Sequence, residues 1–336
     1  MNAYVLKRTG GPGVLKISDI PEPQIHHNQI KIRLHYIGIN YADILSRKGL
    51  YGWAPKRPYV PGMEAMGTIE EVGDNIEKKF IGMKVMIGNK GGCYAEKIVT
   101  RVENVVPAFR TYNDAENAAF LINYLTAWVG LIELAKLKKG EKVLVTAAAS
   151  GVGSAVVQIA KALGADVYGL VGSAEKISFV ESCGALKGVN YNSKTYLETL
   201  KRQSSDYNVI VEMVGGQVFK DMSKLISPFG RLVVLGFASL DLKKWNPLSW
   251  LKTWRDIPRI KIDYLARISA AIMATHLGYL LADPEKLRYL YYDLNKFVAE
   301  NDIRPRIDKI FPFAEAAEAH RYIESRKSMG KVLLQV

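Results

Sequence analysis

Val143-Leu-Val-Thr-Ala-Ala-Ala-Ser-Gly-Val-Gly-Ser-Ala155 is the stretch that decides the fold. Val143–Ala147 is a fully apolar strand run. Ser154–Leu163 then sets Ala155, Ile159, Ala160 and Leu163 at helical spacing, and Gly164 stops the helix. Between them lies Ser150-Gly151-Val152-Gly153. A strand, a glycine turn and a helix make the physical recipe for holding a pyrophosphate. The glycines let backbone N–H groups come close to the phosphates, and the helix N-terminus adds partial positive charge. Tight strand-to-helix turns need glycine for other reasons too, so the surrounding pattern has to decide.

That pattern continues outward. Asp166–Gly172 reads as a strand, followed by a helix ending near Gly184. Val189–Tyr191 is a short strand and Thr195–Gln203 a helix. Val209–Val214 and Leu232–Leu235 are strands with Gln217–Ile226 helical between them. Alternating strand and helix implies an α/β fold with a doubly wound parallel sheet. The first third differs: Ala3–Lys7, Val14–Ile17, Ile30–Tyr36, Gly67–Val72, Lys84–Ile87 and Tyr94–Val99 read as short strands between Gly and Pro turns, which suggests a barrel or sandwich. The chain ends with a helix at Glu285–Glu300, a strand at Ile307–Phe311, a helix at Ala314–Ser325 and a strand at Lys331–Val336.

Which dinucleotide fits is decided at the second strand, which ends Leu170-Val-Gly172-Ser173-Ala174. An acidic residue at this strand tip would bind the adenosine ribose of NAD. Ser173 and Lys176 stand there, and Glu175 comes later, at the start of the helix. A hydroxyl and an ammonium suit a 2′-phosphate, so NADPH is the expected cofactor.

Composition bounds the rest. With 336 residues the chain is long enough for about two domains. Its hydrophobic fraction of 49% and charged fraction of 24% exclude disordered and collagenous classes. Only two cysteines occur, Cys93 and Cys183, which excludes a disulfide framework and any zinc site built on several thiolates. Both are expected to be buried small apolar residues. The net charge of +13 favours anionic partners such as a phosphorylated cofactor, an acidic membrane or nucleic acid. The basic residues are spread along the chain without a nucleic-acid motif, so nucleic acid is not expected. Val143–Ala160 carries no charge, but two glycines and two hydroxyls in its middle break it as a membrane-spanning helix. The opening MNAYVLKR has no apolar run, and a cytoplasmic location is expected.

A segment of different character, Leu240–Ile268, holds Trp245, Trp250 and Trp254 among seven Lys and Arg residues. It reads as a lid over a substrate, as an amphipathic patch for an anionic membrane surface, or as ordinary packing. The five histidines lack metal-ligand spacing, and Ser150 has no glycine two residues before it, so a nucleophile elbow is not supported.

A family resemblance rests on Gly38-Ile-Asn40-Tyr41-Ala-Asp43, Arg47-Lys-Gly49-Leu-Tyr51, Pro61-Gly62-Met63-Glu64-Ala-Met-Gly67, Asn123-Tyr124-Leu-Thr126-Ala127, the glycine turn and Val189-Asn190-Tyr191. Together they resemble the medium-chain dehydrogenase/reductases, in particular their zinc-free quinone oxidoreductase branch. The segment after Ser239, His276-Leu-Gly-Tyr279 and the ending Gly330-Lys-Val-Leu-Leu334 are similar to the vesicle amine transport protein homologues of that branch. The resemblance implies a discontinuous GroES-like domain over 1–122 and 270–336, a Rossmann domain over 123–269 with its insertion at about 240–268, a cleft between them, and a homodimer.

It also implies site roles. Where zinc-dependent relatives carry Cys and His, this chain has Asn40 and Met63, which are poor zinc ligands, so no catalytic metal is expected. The reaction implied is reduction of a quinone or an α,β-unsaturated carbonyl by NADPH. Tyr51 is the leading proton donor to the substrate oxygen and Tyr41 the second choice. Asn40 and Thr126 would approach the nicotinamide. Ser150, Gly151, Val152 and Gly153 would hold the pyrophosphate. Ser173, Lys176 and Tyr191 would surround the adenosine phosphate, and Phe237 and Ser239 would line the nicotinamide ribose. The family usually has Gly where this chain has Ala147 and Ser150, and often Asp where it has Glu212. Glu64 is expected to hold a turn. The competing class is an NADPH-binding, membrane-surface protein with little or no turnover.

Overall fold

The computed structural model describes residues 1–236, 249, 257, 259, 261–278 and 283–336. Two compact units emerge: Met1–Asn123 with Leu277–Tyr292 and Arg304–Val336, and Tyr124–His276 with Asp293–Ile303.

The second unit is built on a six-stranded parallel sheet. In chain order its strands are Lys142–Val145, Asp166–Val171, Lys187–Asn190, Tyr207–Glu212, Ile226–Val234 and Ala271–Ala274. Across the sheet they run 3-2-1-4-5-6. Val143, Leu144 and Val145 are all buried, as are Val209, Ile210 and Val211. Such unbroken apolar runs belong to strands covered on both faces. The order reverses between the first and fourth strands, where Val145 pairs with Val211. A crevice opens at such a reversal, beyond the carboxyl ends of the strands.

The sixth strand, Ala271–Ala274, pairs in parallel with Ile226–Val234. The sequence-based boundary at 269/270 assigns these residues to the other domain. Their place in the parallel sheet carries this unit through to His276.

The first unit holds a seven-stranded sheet that takes strands from both ends of the chain. Its order is Ile307–Pro312, Lys331–Gln335, Gln29–Ile39, Glu64–Val72, Lys84–Gly88 and Val105–Pro107, with Lys97–Arg101 also paired to Gln29–Ile39. Along Gln29–Ile39 the buried Ile30, Ile32 and Leu34 alternate with more exposed Lys31 and Arg33. This period of two sends one face into a core with Ile69, Val85, Ile98, Val332 and Leu334. Cys93 lies in that core and Cys183 is buried in the other unit.

The expected strand at Val14–Ile17 is a 3-10 turn, Pro12–Val14, and the strand begins only at Ile17. The proline ring fixes its own φ and has no N–H for a ladder. No helix among the described residues is long and apolar enough to cross a membrane.

Candidate functional site

In the second unit, the chain leaves the first strand through Thr146 and enters the helix Gly151–Ala162 by way of Ser150. Ser150 is the N-cap, and its Oγ accepts the Gly153 N–H at 3.0 Å. The hydroxyl therefore satisfies one orphan donor of the helix and keeps its own proton for an incoming acceptor. Ala147 holds φ at +47°, a left-handed conformation that costs a non-glycine residue about 1 kcal/mol. A glycine at this place would adopt the same conformation without that cost. A Cβ on Gly153 would lie 2.2 Å from the Ala147 carbonyl oxygen and 2.8 Å from Ala148 Cα. The turn is closed so tightly that only a glycine fits beneath it.

The turn is fastened at the sheet's point of reversal by Glu212 and Thr146, both fully buried. Glu212 accepts Thr146 Oγ1–H at 3.1 Å and the N–H groups of Val214 and Gly215. Thr146 Oγ1 in turn accepts the Met213 N–H at 2.8 Å. Burial pushes the Glu212 carboxyl above the usual range despite these bonds. Its side chain, one methylene longer than that of an Asp, spans the turn after the fourth strand.

Ser173, Lys176 and Tyr191 gather at the carboxyl ends of the second and third strands. Lys176 opens the helix Lys176–Ser182. A Cβ on Gly172 would lie 2.9 Å from the Tyr191 hydroxyl, so Tyr191 leans over that strand end. Asn192 Nδ2 donates to the Gly172 carbonyl at 2.7 Å and fixes the loop. Thr126 is buried in the helix Leu121–Trp128. Phe237, Ser239 and all three insertion tryptophans lie outside the described residues.

In the first unit, a buried polar cluster surrounds Asn40, the cap of the helix Tyr41–Lys48. Lys331 Nζ donates to Asn40 Oδ1 at 2.8 Å and to Glu64 Oε2 at 2.5 Å. Asn40 Nδ2 donates to Glu64 Oε2 and the Gly38 carbonyl, at 3.1 and 3.3 Å. Glu64 Oε1 accepts the Ile122 N–H at 2.8 Å. Glu64 is thus the carboxylate of a buried ion pair at the start of a strand, a larger role than the turn expected for it. Every polar atom of the Asn40 amide is engaged by the protein itself, so contact with a nicotinamide would require one of these bonds to yield.

The same cluster answers the zinc question. An ammonium already neutralises Glu64 and occupies the Asn40 oxygen, while Met63 offers a thioether and burial pushes the Cys93 thiol well up. Zinc needs thiolate, imidazole or carboxylate donors free to bind it, and this set does not fit.

Asp43 Oδ2 accepts the Asn40 N–H at 2.8 Å, and burial pushes its carboxyl up to about 7. Ionising it inside the fold is costly. Its contribution to stability is therefore greatest below the ordinary value of 3.8 and is lost as pH rises through 7. Asp43→Asn keeps an oxygen for the Asn40 N–H and removes the charge. The variant's thermal midpoint should pull ahead of the wild type's between about pH 4 and pH 8, by the equivalent of about 2–4 kcal/mol. Parallel pH profiles would contradict this.

Tyr41 opens that helix and Tyr51 follows it. Gly49, with φ at +78°, ends it, and the Leu50 N–H returns to the Leu45 carbonyl at 2.8 Å. Tyr51 follows in the turn, its ring edge-on to Trp53 at 6.4 Å, with the Lys90 ammonium 5.4 Å from the Trp53 ring. Trp53, Lys90, Lys331 and Thr146 are not singled out by the sequence. Only Trp53 carried a local signal, the Tyr51-Gly-Trp53 aromatic pair.

Two of the histidines, His320 and His35, have structural partners. His320 Nε2 bonds the Tyr94 hydroxyl at 2.8 Å and burial depresses its pKa to about 3, while His35 sits between Asp114 and Thr68.

The Alcohol dehydrogenase GroES-like domain family matches residues 26–110, and the Zinc-binding dehydrogenase family matches residues 151–260. The "Synaptic vesicle membrane protein VAT-1 homolog" of Homo sapiens is 31% identical over 99% of this chain and 86% of that protein. The "Quinone oxidoreductase" of Rattus norvegicus is also 31% identical, over 99% of this chain and 97% of its own length. Among solved structures, Escherichia coli quinone oxidoreductase complexed with NADPH superposes with a TM-score of 0.87 at 25% identity, covering 100% of both chains. The human VAT-1 homolog-like protein gives 0.84 at 27% identity, covering 100% of this chain and 98% of that one.

Proposed function

Since the chain belongs to the medium-chain dehydrogenase/reductase superfamily, in the branch that holds the quinone oxidoreductases and VAT-1 homologues, we propose that it is a zinc-independent oxidoreductase that reduces a quinone or an α,β-unsaturated carbonyl with NADPH. The observation that carries this reading is the Ser150–Gly153 turn, closed so tightly on Ala147 that Gly153 admits no Cβ, at the N-terminus of a twelve-residue helix. Structures of quinone oxidoreductases of the same fold complexed with NADPH support the choice of cofactor.

The turn's N–H groups and the Ser150 hydroxyl would hold the pyrophosphate, with Lys176 and Tyr191 at the adenosine end. NADPH, when bound, supplies the hydride. The chain's part is to orient the acceptor, exclude water and deliver a proton to the oxygen on which charge develops. Tyr51 would give that proton from its phenol, and solvent would restore it. A phenol O–H is a hydrogen-bond donor, so Tyr51 carries the proton that this role needs.

Tyr51→Phe is expected to lower kcat on a quinone by about 10²-fold while leaving the Kd for NADPH within a factor of two. A kcat unchanged by the substitution would remove Tyr51 from the role. The reading as a whole is tested by following NADPH oxidation against a panel of quinones and enones. Saturable NADPH binding without turnover on any of them would favour the binding-protein class instead.

A further inference from the structure

We infer that the acceptor reduced by this chain is an anion, a quinone or enone that carries a carboxylate on a side chain, held by Lys90 with Lys56 and Arg57. This names the substrate class within the oxidoreductase reading above and rests on it. Two stretches of sequence beside Tyr51 are one-sided in charge. Ile44–Met63 holds Arg47, Lys48, Lys56 and Arg57 and no acidic residue, and Gly88–Ala95 has Lys90 as its only charged residue. The fold lays the second stretch against the first. The Gly92 N–H donates to the Val60 carbonyl at 2.7 Å and the Asn89 N–H to the Met63 carbonyl at 2.9 Å. A Cβ on Gly91 would lie 3.0 Å from the Val60 oxygen and 3.6 Å from both Pro55 Cγ and Tyr59 Cδ2. The turn that carries Lys90 is therefore packed on the loop that carries Lys56 and Arg57, and the Lys90 ammonium stands one ring beyond Tyr51, over Trp53.

The cations of these stretches divide into two groups. Arg47 and Lys48 are both paired with Glu324, at 2.7 and 2.9 Å, and serve the packing of their helix. Lys56, Arg57 and Lys90 are exposed, and none of the three makes an ion pair among the described residues. An aromatic face attracts an ammonium without neutralising it, so Lys90 keeps its full charge over Trp53. Uncompensated cations on one rim raise the local concentration of anions there. Arg57 adds a planar fork that matches a carboxylate. A neutral acceptor draws nothing from this rim. An acceptor with a carboxylate on a flexible tail is attracted to it and brought beside the Tyr51 phenol, while the reaction at its conjugated carbonyl is unchanged.

The test compares a benzoquinone bearing an alkyl carboxylate with its methyl ester. The two share one conjugated ring and differ only in the charge at the far end of the tail. With NADPH as reductant, kcat/KM is measured for each on the full chain, as wild type, as Lys90→Gln and as the triple variant with Lys56→Gln and Arg57→Gln added. The wild type is expected to favour the carboxylate about tenfold at low salt, mainly through KM, and to lose most of that preference at about 0.5 M salt. Lys90→Gln should remove part of the preference, and the triple variant should bring the ratio to within about twofold of unity. Equal kcat/KM for the two acceptors in the wild type, or a preference that the triple variant keeps, overturns the inference and leaves the oxidoreductase reading standing. A kept preference with a raised Kd for NADPH would assign these cations to the phosphates of the cofactor instead. Turnover of neither acceptor overturns the oxidoreductase reading, and the inference with it.

Discussion

Gly153→Ala is expected to weaken NADPH binding by at least about 10²-fold, equivalent to about 3 kcal/mol. The added Cβ would meet the Ala147 carbonyl oxygen at 2.2 Å and Ala148 Cα at 2.8 Å. Both obstacles are backbone, so no side-chain rotation relieves them. The Ala147 carbonyl also accepts the Ser150 N–H at 2.9 Å, and the Ala148 N–H is tied to the Leu170 carbonyl at 3.0 Å. Moving the turn aside breaks bonds to the neighbouring strand and displaces the N–H groups that would face a pyrophosphate. Overpacking at such a site typically costs about 1–3 kcal/mol of stability as well. A titration paired with a thermal melt separates the two effects. A folded variant that binds NADPH within threefold of the wild type would show that the pyrophosphate sits elsewhere.

Lys331→Met is expected to destabilise the first unit by about 3–5 kcal/mol, because it leaves Glu64 as an uncompensated buried carboxylate. Lys331 and Glu64 are 3% and 0% exposed, which leaves the orphaned charge no route to water. Gly38 packs close beside the pair: a Cβ there would lie 2.7 Å from Glu64 Oε2 and 2.6 Å from the Ala118 carbonyl oxygen. The double variant Lys331→Met with Glu64→Gln removes both charges and should recover most of the loss. Equilibrium denaturation of the two variants decides the point. A single variant within 1 kcal/mol of wild type, or a double variant no more stable than the single, would show that the pair is not the electrostatic centre of this unit.

Much of the fold can be read directly from residue patterns. Val143-Leu-Val followed by Ser150-Gly-Val-Gly153 defines the first strand and helix of the parallel sheet, and Ile30-Lys-Ile-Arg-Leu34 declares a half-buried strand. The sixth strand, Ala271–Ala274, is hidden because Ala-Ile-Met-Ala has no alternation; its pairing with Ile226–Val234 creates it. The glycine turn of the site is equally plain, since all its parts are within four residues. The Asn40–Glu64–Lys331 cluster is not, because 267 residues separate Glu64 from Lys331. It exists only once the last strand pairs antiparallel with Gln29–Ile39, setting Val332 opposite Ile39. The strain at Ala147 is similarly invisible, because nothing in an alanine announces a positive φ.

In the proposed function, this chain moves hydride from NADPH to a conjugated acceptor with Lys331, not a metal, balancing Glu64. Its most direct test is the rate of NADPH oxidation with a quinone, measured on protein with its metal content assayed, before and after exhaustive chelation. The account predicts turnover by protein holding far less than one zinc per chain, at a rate that chelation leaves unchanged. Turnover lost on chelation and restored by added zinc would contradict it.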